Sequence, residues 1–150
     1  MNPLVFRAVL ALMPFLRPEA KALDVDPYEL AGIVYVESRG VAGVVRHETN
    51  GSCSVGLAGI NVPDCDPVAV EHLLLDQANL HAAAVILRAG YAYCREHPRA
   101  DACRRGGGLA MYNPGNKGYA SAVRRAAREI RKLDRRRRRR PHAHEHGANA

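Results

Sequence analysis

The chain has 150 residues, 47% of them hydrophobic and 25% charged, a composition that fits one compact domain with a short extension. No apolar stretch is long enough for a membrane-spanning helix, which excludes that class of protein. The formal charge is +7, but the consecutive arginines Arg135–Arg140 supply most of the excess, so it characterises the end of the chain and not its centre. With no Trp, any stacking surface has to be built from six Tyr and two Phe.

Residues 1–22 carry one Arg before an apolar run from Ala8 to Leu16 that Pro14 interrupts. They read as a first core helix or a weak signal-like segment. The first strongly marked helix begins at Asp26-Pro27-Tyr28-Glu29. Asp26 can accept from the free amides, Pro27 suits the first helical position, and Glu29 stands where a capping-box acid would. Leu30, Ile33, Val34 and Glu37 follow at helical spacing before Gly40 ends the element. A carboxyl therefore closes an apolar stripe, where loss of water raises its pKa toward the range a general acid needs.

Residues 41–66 are rich in Gly, Asn, Ser and Asp and predict a loop with a small β-hairpin. Asp66-Pro67 repeats the Asp-Pro helix start, with apolar residues as far as Leu75. Asp76 is placed to cap a helix carrying Leu80, Ala83, Ala84 and Leu87 up to Gly90. Residues 91–108 read as a short helical turn and a loop, with Gly106-Gly107-Gly108 as a flexible connection. The last helix is predicted over 119–133, burying Tyr119, Val123, Ala126, Ile130 and Leu133 and turning Arg124, Arg125, Arg128, Arg131 and Lys132 to water. Residues 134–150 hold the arginine run and PHAHEHGANA, have nothing to bury, and are expected to form a disordered basic tail.

Cys53, Cys65, Cys94 and Cys103 favour two disulfides in an oxidising compartment, with three connectivities open. Cys53–Cys65 with Cys94–Cys103 is the preferred pairing, because each closes one polar loop containing Gly or Pro. There is no C-x-x-C pair, and His47, His72, His81 and His97 show no ligand-like arrangement, so no metal is expected. The same holds for a cofactor: the glycine triplet lacks the Lys-Ser/Thr of a phosphate-binding loop.

Three segments carry the chemistry: Glu37-Ser38 at a helix end, Ser54-Val55-Gly56-Leu57-Ala58-Gly59-Ile60-Asn61, and Ala110-Met111-Tyr112-Asn113-Pro114-Gly115. In order and spacing they resemble the catalytic domain of soluble lytic transglycosylases, relatives of goose-type lysozyme. That family has a helix ending in Glu-Ser, a Gly-Leu-Met-Gln-Ile segment and an Ala-Tyr-Asn-x-Gly segment. The similarity covers residues 23–133, and Asp76-Gln77-Ala78-Asn79-Leu80 resembles the family's Asp-x-x-Asn-Ile stretch. It implies a mainly α, lysozyme-like single domain that cleaves the bond between N-acetylmuramic acid and N-acetylglucosamine in peptidoglycan, leaving 1,6-anhydromuramoyl ends.

By this resemblance Glu37 is the single acid and base, protonating the glycosidic oxygen and then taking the proton of the muramoyl hydroxyl that attacks its own anomeric carbon. Ser38 would orient the substrate or the carboxyl. Tyr112 would bond Glu37 or line the cleft, and Asn113 would support that loop or the substrate. Ser54, Gly56, Leu57 and Ile60 match the second motif, where a glycine would let the backbone approach the sugar. Two positions depart from the pattern: Ala58 and Gly59 stand where the family has Met-Gln, at the cost of a directed hydrogen bond to substrate of about 1 kcal/mol.

Glu48 is a candidate second carboxylate, with pairing to Arg46 as its structural alternative. Two other functions stay open: a hydrolytic muramidase in which Glu48 positions water, and a glycan-binding module without turnover. The expected partner is the peptidoglycan strand, met by an extracytoplasmic monomer in wall remodelling or in a secretion, conjugation or phage assembly. The arginine run reads as a solvated tail or as attraction to anionic wall polymers. A nucleic-acid role is disfavoured, because no aromatics interleave the arginines.

Overall fold

The structure, a computed structural model, describes residues 2–139. Its helices are α1 (Pro3–Ala11), α2 (Met13–Ala22), α3 (Pro27–Glu37), α4 (Pro67–Leu73), α5 (Asp76–Glu96), α6 (Asp101–Gly106), α7 (Gly108–Tyr112) and α8 (Tyr119–Arg138). Between α3 and α4 lie β1 (Val45–His47), β2 (Cys53–Val55) and β3 (Ile60–Val62), followed by one 3-10 turn, Pro63–Cys65. The strands form an antiparallel sheet in the order β1-β2-β3, with Ser54 opposite Arg46 on one side and Asn61 on the other. The expected hairpin is thus a three-stranded sheet in a mainly helical chain.

α3 is the buried axis of the molecule. Leu30, Ala31, Gly32, Ile33 and Val34 are all inaccessible, as befits a helix apolar on every side. Helices α1, α2, α5 and α8 pack around it. The crossing with α8 is close: a Cβ on Gly32 would lie 2.6 Å from the carbonyl oxygen of Val123. At the start of α3, Asp26 accepts from the Tyr28 amide at 2.8 Å, as its sequence position predicts. Glu29 does not close a capping box; it accepts from the Tyr91 hydroxyl at 2.6 Å, tying α3 to α5.

Several boundaries differ from the sequence expectation, each for a packing reason. The N-terminal segment makes two helices, because Pro14 occupies the first turn of α2, where its missing N–H costs no hydrogen bond. Asp76 is the first residue of α5 and not its cap; Leu75 holds that position. α5 passes through Gly90 to Glu96, and the glycine serves a close contact: a Cβ there would sit 2.7 Å from the carbonyl oxygen of Gly108. The glycine triplet is a tight corner between α6 and α7, with Gly106 against Ala120 and Gly108 against the Tyr91 ring.

The buried stripe of α8 is as expected, with Leu133 half-buried at its edge. The helix, however, runs on to Arg138, into the segment expected to be disordered. Asp134 is the reason. It is buried and accepts from Arg17 at 2.6 Å and from the Tyr28 hydroxyl at 2.9 Å, which fastens α8 to α2 and α3. Burial pulls the Asp134 carboxyl upward, but the bonds from Tyr28 and Arg17 together outweigh it and hold it below the usual range. The expectation of a disordered tail over residues 140–150 lies outside the described residues.

Both disulfides form in the preferred pairing. Cys53–Cys65 joins β2 to the 3-10 turn, and Cys94–Cys103 joins α5 to α6. Around the first, Val55 and Val62 pack on Ala69, Val70 and Leu73, so the sheet is seated on α4 by a small core of its own. Among the described residues no helix is long and apolar enough to cross a membrane.

Candidate active site

Glu37 is the last residue of α3, so the most buried helix of the fold delivers its carboxyl to the surface. Ser38 ends the helix: its hydroxyl donates to the Val34 carbonyl at 3.2 Å and accepts from the Gly40 amide at 3.1 Å. Ser38 is buried in this capping role and does not line the cleft. The Glu37 side chain is 13% exposed and opens into a cleft of about 490 Å³. Ser54 and Asn61 of the sheet line the cleft with Glu48, which follows β1, and Ile86, Tyr112 and Asn113 line it from the helical part.

Burial raises the Glu37 pKa above the ordinary glutamate value, and the Tyr119 hydroxyl and the Arg46 guanidinium work against that rise. The Arg46 Nη2 lies 3.3 Å from Glu37 Oε2 on a half-exposed side chain, a weak pair that solvent screens. The net direction is up. Glu48 adds to it, since its negative charge is near enough to disfavour a second one on Glu37. The alternative pairing of Glu48 with Arg46 does not form: Arg46 faces Glu37, and Glu48 accepts from the Ser54 hydroxyl at 2.6 Å.

Tyr112 lines the cleft as expected, but its hydroxyl donates to the Ala58 carbonyl at 2.9 Å and not to Glu37. That bond ties the third motif to the second. The tyrosine that addresses Glu37 is Tyr119, the first residue of α8, which stacks on Tyr112 at 5.9 Å with the rings parallel. Tyr119 is 1% exposed; its hydroxyl faces Glu37 and has no partner of normal hydrogen-bond geometry. Sequence reasoning assigned it to the buried stripe alone. A polar tip on a stripe otherwise of Val, Ala, Ile and Leu was the available signal.

The second motif divides between cleft and core. Ser54 and Ile60 reach the cleft, whereas Leu57 is fully buried in the main core. Gly56 does not line the cleft: with φ of 75° it packs against Asn79, leaving no room for a Cβ. The glycine at the cleft is Gly59. Asn79, wholly buried on α5, accepts from the Ala58 amide at 2.8 Å and donates to the carbonyls of Val55 at 2.8 Å and Leu73 at 3.0 Å. One side chain therefore fixes the strand-to-strand loop beneath Glu37. Within the Asp76–Leu80 stretch, this is the function that spacing did not disclose.

His47 is nearer to a ligand arrangement than its sequence position suggested. Its Nδ1 lies 3.3 Å from the Cys53 sulfur and 3.5 Å from that of Cys65. Both sulfurs are joined in the disulfide, so the group offers no thiolate to a metal. His81 instead pairs with Glu19 at 2.8 Å. Comparison with protein-family models, with curated proteins and with solved structures finds no match to this chain.

Proposed function

We propose that the chain is a lysozyme-like lytic transglycosylase that cleaves peptidoglycan outside the cytoplasm, with Glu37 as its single acid and base. One observation carries the reading: a largely buried glutamate with a raised pKa at the end of the central helix, opening onto a polar cleft walled by a small sheet. The order of the three motifs along the chain supports the same reading, as do two disulfides suited to an oxidising compartment.

In this mechanism the protonated form of Glu37, which burial favours, gives its proton to the glycosidic oxygen. The carboxylate so formed is met by the Arg46 guanidinium and the Tyr119 hydroxyl, both of which favour the charged state. It then takes the proton of the muramoyl hydroxyl as that oxygen closes on the anomeric carbon. Tyr112 and Asn113 hold the sugar against the sheet wall, and Ser54 holds Glu48 aside. One carboxyl serves both steps, unlike the carboxylate pair of most glycosidases.

Glu48 gives the hydrolytic reading its one support, since it lines the same cleft and acts on Glu37 through its charge. Mass spectrometry of muropeptides released from purified peptidoglycan separates the two. Anhydromuramoyl products that vanish in Glu37→Gln support the transglycosylase; reducing ends place Glu48 as the base. Glycan bound with no release of product would make the chain a binding module.

A further inference from the structure

At the C-terminal half of α8, Arg128, Arg131, Lys132, Arg135, Arg136 and Arg139 line a surface groove of about 330 Å³. Among the described residues, every one that lines it is a cation. Half of them precede the arginine run, so the groove is a product of helical periodicity and not of the run alone. Asp134 is held by Arg17 and Arg138, and Asp26 by Arg131, whose guanidinium also lies 4.7 Å over the Tyr28 ring; Glu129, the other acid of this half of α8, does not line the groove. Arg128, Lys132, Arg135, Arg136 and Arg139 pair with no carboxylate among the described residues. All five are exposed.

Five unpaired cations on one helical face repel each other unless an anion lies among them. From Arg128 to Arg139 they extend over about 16 Å of helix, a track along which a linear polymer can present several charges at once. Arginine selects for phosphate, which its planar fork can bind through two parallel hydrogen bonds. Among the described residues no aromatic side chain lines the groove, so these offer nothing on which bases would stack. The apolar face of α8 is consumed by the core, so the helix has none to insert into a lipid surface.

The groove and the cleft share one rigid element. Tyr119 starts α8 beside Glu37, and Arg128 follows about 14 Å further along the same helix. We propose that this groove is a second binding site, for a flexible polyol-phosphate chain of the bacterial envelope, which holds the cleft close to the glycan. The choice of an envelope polymer rests on the peptidoglycan reading; the phosphate chemistry of the groove does not.

The test is fluorescence anisotropy of labelled poly(glycerol phosphate) with the full chain across a salt series, beside a variant carrying Arg128→Gln, Lys132→Gln, Arg135→Gln, Arg136→Gln and Arg139→Gln. The wild type is expected to bind with an affinity that falls steeply with salt, as release of counterions requires. The variant should bind at least tenfold more weakly with a shallower salt dependence, at an unchanged melting temperature. Equal binding by the variant would overturn the proposal, as would the absence of wild-type binding at low salt. Tighter binding of duplex DNA or of anionic vesicles at matched phosphate would overturn it in favour of those partners. Binding needs no turnover, so loss of muropeptide release with binding intact counts against the Glu37 reading and not against the groove.

Discussion

Gly59 and Glu37 are packed so closely that a Cβ on residue 59 would lie 2.7 Å from Glu37 Oε2 and 3.1 Å from Glu37 Cβ. Gly59 also has φ of 60°, a region that strains other residues. At this backbone and rotamer no side chain fits at 59, and the carboxyl occupies the space it would need. Gly59→Ala is therefore expected to cost about 1–2 kcal/mol of stability from backbone strain. Turnover should fall more than tenfold, because the added methyl displaces the carboxyl. Thermal melts beside muropeptide release check this; full activity in a folded variant would refute the contact.

On the proposed mechanism Glu37 sets both the pH–rate profile and a stability term. With one carboxyl doing both steps, the rate should be high at low pH and fall as pH rises through the Glu37 pKa, which lies above the ordinary glutamate value. A base at Glu48 would add a fall on the acid side and make the profile a bell. For stability, the folded pKa lies above the unfolded one, so within that interval the native state keeps a proton that the unfolded chain has lost. Stability is then greatest below the unfolded pKa and declines as pH rises through the folded pKa. Glu37→Gln should abolish turnover, melt above the wild type at neutral pH, and lose that advantage at low pH.

Tyr119→Phe removes a buried hydroxyl that has no hydrogen-bond partner of normal geometry. Stability is expected to change by less than about 1 kcal/mol, since the hydroxyl's contact with Glu37 lies outside normal hydrogen-bond geometry. Activity should respond in a different way. The hydroxyl favours the charged form of Glu37, so its removal moves the descending limb of the pH–rate profile to higher pH. A profile identical to wild type would show that Tyr119 acts only as core.

Asn79→Ala strands one amide and two carbonyls in the interior. At about 1–3 kcal/mol for each unsatisfied group, a loss of about 3 kcal/mol or more is expected, read by denaturant unfolding. Asn79→Asp should be nearly as harmful, because a carboxylate still accepts from Ala58 but cannot donate to Val55 and Leu73. If either variant unfolds at the wild-type midpoint, the loop is fixed by other contacts.

The sequence by itself determined what depends on local pattern. The Asp-Pro start and unbroken apolar run of α3 placed Glu37 at the end of a buried helix, and the spacing of the cysteines pointed to the two bridges that form. Order along the chain also singled out the segments that supply Ser54, Ile60, Tyr112 and Asn113 to one cleft. Other features depend on which surfaces meet, and only the tertiary structure decided them. Tyr119 rather than Tyr112 faces Glu37 because α8 crosses α3 at Gly32, which brings the first turn of α8 against the last of α3. Ser38 turns inward to cap its own helix, and Arg46 reaches Glu37 because β1 lies at the open edge of the sheet. α8 outruns its apolar stripe because Asp134 finds Arg17 and Tyr28, more than a hundred residues away in the chain. Periodicity reports which face of an element is buried; the partner that a polar atom finds there is set by the crossing of elements distant in sequence.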